Sequence, residues 1–281
     1  MTDFTLTQET NGIATIIWDC EGKAMNIMTI DALQALNGLI DTALADDAIK
    51  GIIITSAKPD FAAGMDLNVL GSMTSHAGHA PAQALFSAIS GIHAMLRKIE
   101  RAGMDPKTNK GGKPVASVLP GTALGIGYEL PLATHRIFAA TNPKAKIGLP
   151  EILIGIFPGA GGTTRLSRKM GAMAAAPYLL EGKTLSPQKA KSAGLVDVVC
   201  DDPMAEARAW VLQAKDADLV KPWDAKGYKM PGGTPYHPAG FMTFVGASAM
   251  INGKTQGAFP AAKALLSTVY EGALVDFDTA L

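Results

Sequence analysis

The sequence predicts an α/β fold built from repeated strand–turn–helix units. A short apolar or β-branched run followed by a turn and a helical pattern occurs three times, at residues 13–45, 51–100 and 114–134. Hydrophobic residues make up 48% of the 281 residues and charged residues only 18%, which favours a sizeable core and disfavours disorder. Such apolar strands are buried on both faces when successive units stack with right-handed connections. We therefore expect a spiral of ββα-type units.

The first two units have the clearest periodicity. Ile13–Trp18 (IATIIW) is a β-branched run bounded by turn residues, which predicts a strand. Residues 29–45 repeat apolar side chains at helical spacing, with Thr29 in the position of an N-cap. Gly51–Ser56 predicts a second buried strand, and residues 81–100 predict a long helix.

The third unit leads into a more irregular second half. Pro114–Leu119 predicts a strand that runs into a glycine-rich segment and a helix around Gly127–Thr134. The later predicted elements are short strands at Arg136–Ala140, Ile147–Gly148 and Leu195–Val199 and helices at Pro203–Ala214 and Phe259–Leu274. Lys221–Gly240 is rich in Pro and Gly and predicts a linker or wrapping arm. We therefore expect a core over residues 1–200 and a linker with helices over 201–281.

Two glutamates stand beside glycine-rich segments. Glu129 lies in GTALGIGYEL and Glu151 in LPEILIGIFPGAGGTTRL. Two carboxylates can divide proton transfer between them, and glycines let backbone N–H groups approach a substrate oxygen that gains negative charge. DFAAGMDL (Asp60–Leu67) is a small-residue turn after the strand at 51–56 and offers another such donor. A single Glu at a helix start is more often a surface acid, but the three segments together indicate an active site.

These segments resemble the enoyl-CoA hydratase/isomerase (crotonase) superfamily. FAAGMDL is similar to its AGAD-type turn, ALGIGYEL to its ALGGGxEL helix start, and GLPEILIGIFPGAGGTTRL to its PEIxLGxxPGAGGTxRL block. KAMNIM (Lys23–Met28) is similar to its N-terminal substrate loop, and LSPQKAKSAGLVDVV to a later family segment. The matches follow in order over roughly residues 5–200, which is more specific than one motif. Lys221–Gly233 and Phe259–Leu281 resemble the segment that joins hydratase to dehydrogenase in multifunctional β-oxidation enzymes of the α-subunit type.

The resemblance implies a lyase of fatty-acid β-oxidation that adds water to trans-2-enoyl-CoA and gives 3-hydroxyacyl-CoA. It assigns Glu129 as the base towards water and Glu151 as the proton donor to the α-carbon. The backbone N–H groups of Met65 and Ile126 would form the oxyanion hole, and Gly159 would position water and substrate. The positions that match the family's CoA site are Lys23, Ala24, Ala63, Asp66 and Leu67. The coenzyme A thioester is the substrate, and no metal or redox cofactor is expected.

Three departures from the family pattern concern the binding site. Ile126 stands where the family has glycine and Met65 where alanine is common, but both positions act through backbone N–H groups. We expect the Ile126 side chain to point away from the pocket. Asn68 stands where many members carry a lysine near the CoA phosphates, so Lys23 or a basic residue of another subunit would have to replace that contact.

Two other functions are compatible with the sequence. One is Δ3-Δ2-enoyl-CoA isomerisation, in which Glu151 alone moves a proton, and multifunctional relatives combine it with hydration. The other is a non-catalytic acyl-CoA-binding module of a multifunctional assembly, although binding alone does not need two glutamates. Acyl-chain length stays open because residues 71–81 and the C-terminal helices would form the pocket walls. A homo-oligomer, trimer or hexamer, or a multifunctional assembly is expected.

Nucleotide and nucleic-acid binding are disfavoured. GIGYEL lacks the third glycine of a dinucleotide fingerprint, since Leu130 stands there, and no suitable acid follows about 20 residues on. PGAGGTTR lacks the Gly-Lys-Ser/Thr of a P-loop. The formal net charge is zero, so no general attraction to nucleic acid or to an anionic membrane is expected.

Targeting, thiol and metal signals are also weak. The N-terminus MTDFTLTQET carries neither a secretory nor a mitochondrial pattern, and no 18-residue apolar run occurs, so a cytoplasmic enzyme is expected. Cys20 and Cys200 are expected to be buried, reduced thiols. His76 and His79 lack neighbouring ligands of suitable spacing, so metal binding there is not expected.

Overall fold

A computed structural model describes residues 3–69, 71 and 81–281 of the chain. Contacts divide the chain into two compact units, the first Met1–Ile147 with Leu185–Val220 and the second Gly148–Thr184 with Lys221–Leu281. The sequence predicts a core over residues 1–200 followed by a linker and helices over 201–281, and this division stays a prediction. Residues 72–80, with His76 and His79, lie outside the described residues.

The strands confirm the predicted α/β class. They are β1 (Phe4–Gln8), β2 (Ile13–Trp18), β3 (Gly51–Ser56), β4 (Val115–Leu119), β5 (Ala123–Leu124), β6 (Arg136–Ala140), β7 (Ile147–Gly148) and β8 (Val198–Cys200). One sheet has the order β1-β2-β3-β4-β6-β8, with β1 antiparallel to β2 and every other pair parallel. A second sheet pairs β5 with β7. The middle strands are buried along almost their whole length, as their continuous apolar runs predict.

The helices follow the predicted order, with several additions. They are α1 (Ile30–Ala45), α2 (Pro81–Arg101), α3 (Ile126–Ala133), α4 (Gly162–Met170), α5 (Ala172–Leu179), α6 (Pro187–Ser192), α7 (Pro203–Gln213), α8 (Asp216–Leu219), α9 (Pro238–Thr255), α10 (Pro260–Gly272) and α11 (Phe277–Ala280). In the part of the chain that the structure describes, 3₁₀ helices cover Glu151–Ile154 and Pro222–Asp224. None of the helices in the described part of the chain has the length and apolar character needed to cross a membrane.

Helix α7 covers one face of the main sheet. Ala207 and Val211 on this helix pack into a buried cluster with side chains from four parallel strands. The sheet contributes Ile13, Ile53, Ala116, Val118 and Phe138. Burial of one such side chain stabilises the fold by about 1.5–3 kcal/mol, so this layer fixes the strands whose ends carry the candidate site.

Several predicted boundaries differ from the structure by one or two residues, and two differ by more. The last strand begins at Val198 rather than Leu195, because Leu195 N–H still closes the turn after α6 by donating to Ala190 O at 2.8 Å. Helix α9 starts inside the predicted linker, where Pro238 occupies its first turn and His237 Nδ1 accepts from Ala239 N–H at 3.2 Å. The helix contains Gly240, Gly246 and Gly253, whose poor helix propensity hides it in the sequence.

The N-cap of α1 offers a direct stability test. Thr29 Oγ1 accepts from Ala32 N–H at 3.1 Å, as the sequence predicts for this position. We expect Thr29→Ala to lower the free energy of unfolding by about 1 kcal/mol in urea titrations, since a free N–H remains at the helix start. Thr42→Ala is the matched control on the same helix, because Thr42 Oγ1 only bonds back to Gly38 O and its loss should cost little. Equal losses for both variants would contradict the capping role.

Candidate active site

At the start of α3, the N–H group of Ile126 points away from the helix. Gly125 caps the helix at φ 57° and ψ −132°, a conformation that favours glycine because it has no Cβ. Its carbonyl oxygen accepts from the N–H groups of Tyr128 at 2.7 Å and Glu129 at 2.9 Å. In a trans peptide the next N–H points opposite to that carbonyl, so Ile126 N–H is directed out of the helix start. The Ile126 side chain is only 4% exposed and packs into the protein.

The turn after β3 presents the N–H group of Met65 in a similar way. Gly64, at φ 121°, offers its carbonyl oxygen to Met28 N–H at 2.8 Å, and Asp66 N–H donates to Met28 O at 3.0 Å. No peptide bond between described residues is cis. Because Gly64 O points towards Met28, the N–H of Met65 points away from it.

The two segments that carry these donors are hydrogen-bonded to each other. Ala62 N–H donates to Thr122 O at 3.1 Å, and Leu124 N–H donates to Ala62 O at 3.1 Å. At Gly127 the backbones approach so closely that a Cβ there would lie 2.6 Å from the Cβ of Ala62. This short ladder fixes the turn after β3 against the strand that leads into α3.

Glu129 lies in the first turn of α3 and is only 2% exposed. Every residue of this helix is buried, and its other side chains are apolar apart from the Tyr128 hydroxyl, which donates to Leu195 O at 2.7 Å. A carboxylate is costly to bury, and such groups concentrate at functional sites. The position therefore favours a chemical role for Glu129 over that of a surface acid.

The side chain of His135, just after α3, connects two elements of the first unit. Its Nδ1 accepts from Val115 N–H at 2.9 Å, which leaves the proton on Nε2, 3.1 Å from Glu100 O. The ring thus joins the start of β4 to the end of α2.

The second unit contains Glu151 and the PGAGG turn. Glu151 begins the first 3₁₀ helix and is half-buried, and the same helix exposes the apolar side chains of Leu153 and Ile154 at 68% and 61%. Gly155 ends the helix in the left-handed region, at φ 84°. A carboxylate beside exposed apolar side chains is suited to contact a ligand with an apolar part.

Gly159 is exposed in a turn that a buried arginine supports. Pro158 O accepts from Thr163 Oγ1 at 2.9 Å, so the N–H of Gly159 points away from that hydroxyl. Arg165 is 0% exposed, donates through Nη1 to Ala160 O at 3.3 Å, and lies 5.6 Å from the ring centre of Phe277. The turn is therefore held from its buried side within the second unit.

The residues matched to the CoA site lie on two adjacent segments of the first unit. Ala63 N–H donates to Asn26 O at 2.9 Å, which places the Lys23–Met28 loop beside the turn after β3. Asp66 is half-buried and accepts from Asn68 N–H at 2.8 Å. The other four are exposed: Lys23, Ala24, Ala63 and Leu67.

Asn26 has a role in this region that the sequence analysis did not assign. It is 0% exposed, and its side-chain amide bonds to four groups of the surrounding backbone and side chains. The contacts are Nδ2 to Trp18 O at 3.1 Å, Nδ2 to Ser56 Oγ at 2.9 Å, Nδ2 to Phe61 O at 2.9 Å and Oδ1 to Cys20 N–H at 2.9 Å. The sequence signal that could have indicated this role is a single amide residue, Asn26, between two apolar residues, Met25 and Ile27.

The cysteines are free thiols, Cys20 buried as expected and Cys200 half-buried. Burial raises the pKa of both thiols above the usual value. Among the described residues, no cluster of three or more His, Cys, Asp or Glu side chains could hold a metal ion.

A mostly parallel sheet, with glycine turns at Gly64 and Gly125 on two hydrogen-bonded segments, defines an α/β protein. The enoyl-CoA hydratase/isomerase family model matches residues 8–217, and the chain belongs to this family. Among solved structures, it is similar to an enoyl-CoA hydratase of Geobacillus kaustophilus, with 29% identity and a TM-score of 0.64 over 76% of this chain and 74% of that one.

Two further structures extend the similarity. DspI of Pseudomonas aeruginosa is 26% identical, with a TM-score of 0.62 over 79% of this chain and 86% of that one. An enoyl-CoA hydratase of Bacillus anthracis is 24% identical, with a TM-score of 0.61 over 97% and 91% of the two chains, and supports the fold.

Proposed function

We propose that the chain is an enoyl-CoA hydratase that adds water to trans-2-enoyl-CoA and gives 3-hydroxyacyl-CoA. The observation that carries the proposal is the pair of N–H groups, at Met65 and Ile126, that point away from the hydrogen bonds of their own turns on two hydrogen-bonded segments of the first unit. Family membership and the presence of both glutamates support it.

The proposed reaction is a conjugate addition. Water attacks the β-carbon while Glu129 accepts its proton, and the electrons of the double bond move onto the thioester oxygen. The N–H groups of Met65 and Ile126 donate to that oxygen, and one such donor typically lowers a barrier by about 3 kcal/mol. The enolate then takes a proton at the α-carbon from Glu151, and Gly159 N–H helps to position water and substrate.

The CoA moiety is proposed to bind along the two exposed segments of the first unit. Lys23 and Ala24 lie on one segment and Ala63, Asp66 and Leu67 on the other. Lys23 is an exposed cation suited to a CoA phosphate, since Asn68 supplies no charge there. We also propose that the reaction belongs to fatty-acid β-oxidation, needs no metal or redox cofactor, and takes place in a homo-oligomer or a multifunctional assembly.

Turnover of acyl-CoA substrates tests this function. We expect the protein to remove the enoyl absorbance of crotonyl-CoA and of a long-chain trans-2-enoyl-CoA, and the ratio of the rates gives the chain preference. Conversion of a 3-enoyl-CoA without hydration would instead identify an isomerase. Tight acyl-CoA binding without either reaction would identify a binding module and contradict the proposal.

A further inference from the structure

We infer that Asn26 is a positioning residue that holds the Met65 N–H donor in place, an inference that rests on the proposed function. Asn26 lies in the loop Lys23–Met28, and none of its side chain is exposed to solvent or to a ligand. Its influence on a reaction must therefore pass through the backbone that it binds.

Asn26 bonds to the donor-bearing turn on both sides of one residue, Ala62. Its Nδ2 donates to Phe61 O at 2.9 Å, and its backbone oxygen accepts from Ala63 N–H at 2.9 Å. Ala62 between them makes the ladder bonds to Thr122 and Leu124 described above. Asn26 thus clamps the turn at the point where it is joined to the segment leading into α3.

The same side chain ties this turn to the ends of two strands. Its amide reaches Trp18 O at the end of β2 and Ser56 Oγ at the end of β3. Ser56 Oγ in turn donates to Asp60 O at 2.8 Å, at the start of the turn. The loop, both strand ends and the turn therefore share one polar network around the buried amide of Asn26, in which cooperative bonds specify a single arrangement.

The position calls for both a donor group and an acceptor on one side chain, which an amide supplies. The N–H₂ group has two hydrogens and lies within bonding distance of three acceptors, Trp18 O, Ser56 Oγ and Phe61 O, which share them, and the fourth partner, Cys20 N–H, needs an acceptor. A hydroxyl supplies a single donor, so Asn26→Ser cannot serve the turn carbonyl Phe61 O, the strand-end carbonyl Trp18 O and Ser56 Oγ together. We expect the turn to relax and the Met65 N–H to lose its alignment with the thioester oxygen.

The test combines kinetics with a spectroscopic probe. The probe is para-dimethylaminocinnamoyl-CoA, whose absorption moves to longer wavelength when N–H donors polarise its thioester carbonyl. We expect Asn26→Ser to keep its fold, to bind the probe with less than half of the parent's wavelength shift, and to lose about 10- to 100-fold in kcat with a smaller change in KM. Ser56→Ala should change the same quantities in the same direction by less.

Thr55→Val is the matched control. Thr55 Oγ1 donates to Val118 O at 3.1 Å, so the variant also loses one buried hydrogen bond beside Ser56 but none in the network of Asn26. Its wavelength shift and kcat should equal the parent's even where its melting temperature falls.

The outcomes separate the inference from the proposed function. A folded Asn26→Ser protein with the parent's wavelength shift and a kcat within about threefold of the parent overturns the positioning role. If that variant does not fold, Ser56→Ala decides by the same two criteria. A parent protein that neither hydrates crotonyl-CoA nor shifts the probe refutes the proposed function before any variant is compared, and the inference then fails with it.

Discussion

Replacement of Glu129 by glutamine is expected to lower kcat for crotonyl-CoA hydration by about 100-fold or more. The amide has the size of the carboxylate but cannot accept a proton from water, so the buried site at the start of α3 keeps its shape and loses its base. The rate is followed by enoyl absorbance, and a melting curve checks the fold. Glu206→Gln, at an exposed position in the first turn of α7, is the control that should leave kcat unchanged.

Glu151→Gln completes this test of the two-carboxylate mechanism. We expect a loss of similar size in hydration, because the α-carbon then lacks its proton donor. If Glu129→Gln converts a 3-enoyl-CoA at the parent's rate while Glu151→Gln abolishes this conversion, a single glutamate moves the proton. That result would reject the hydratase mechanism in favour of the isomerase.

Local patterns in the sequence predicted most of the fold. Ile13–Trp18 and Gly51–Ser56 are strands with the expected bounds, because apolar β-branched runs leave few alternatives. Thr29 caps α1 as expected, since an N-cap depends on bonds within one turn. Helix α9 was missed because its glycines weaken the local signal and its burial depends on contacts with other helices.

Sequence patterns predicted less of the candidate site than of the fold. The sequence named the segments of Met65, Ile126 and Glu129, because glycines and a carboxylate recur there in a family pattern. It did not indicate Asn26, whose bonds reach Ser56 and Phe61 across 30 and 35 residues of chain. A buried amide acquires its role only when the fold brings those partners together, so sequence spacing alone could not predict it.

Replacement of Gly127 by alanine is expected to disturb both stability and catalysis. The φ of Gly127 is not positive, so its backbone accepts an L-residue, but the added Cβ would lie 2.6 Å from the Cβ of Ala62. Overpacking of this kind typically costs about 1–3 kcal/mol of folding free energy. Since the clash pushes the turn after β3 away from α3, we also expect kcat for crotonyl-CoA to fall by about tenfold or more.

A second substitution separates this close approach from a general intolerance of alanine in α3. In the Ala62→Gly/Gly127→Ala protein the clashing Cβ is removed, and the nearest remaining atom to the new Cβ is Ala62 O at 3.2 Å. The double variant should therefore be more stable in urea than the sum of the single variants predicts, by about 0.5–3 kcal/mol, and should regain most of kcat. Additive losses in both quantities would show that the contact between Ala62 and Gly127 does not set the spacing of the two donor segments.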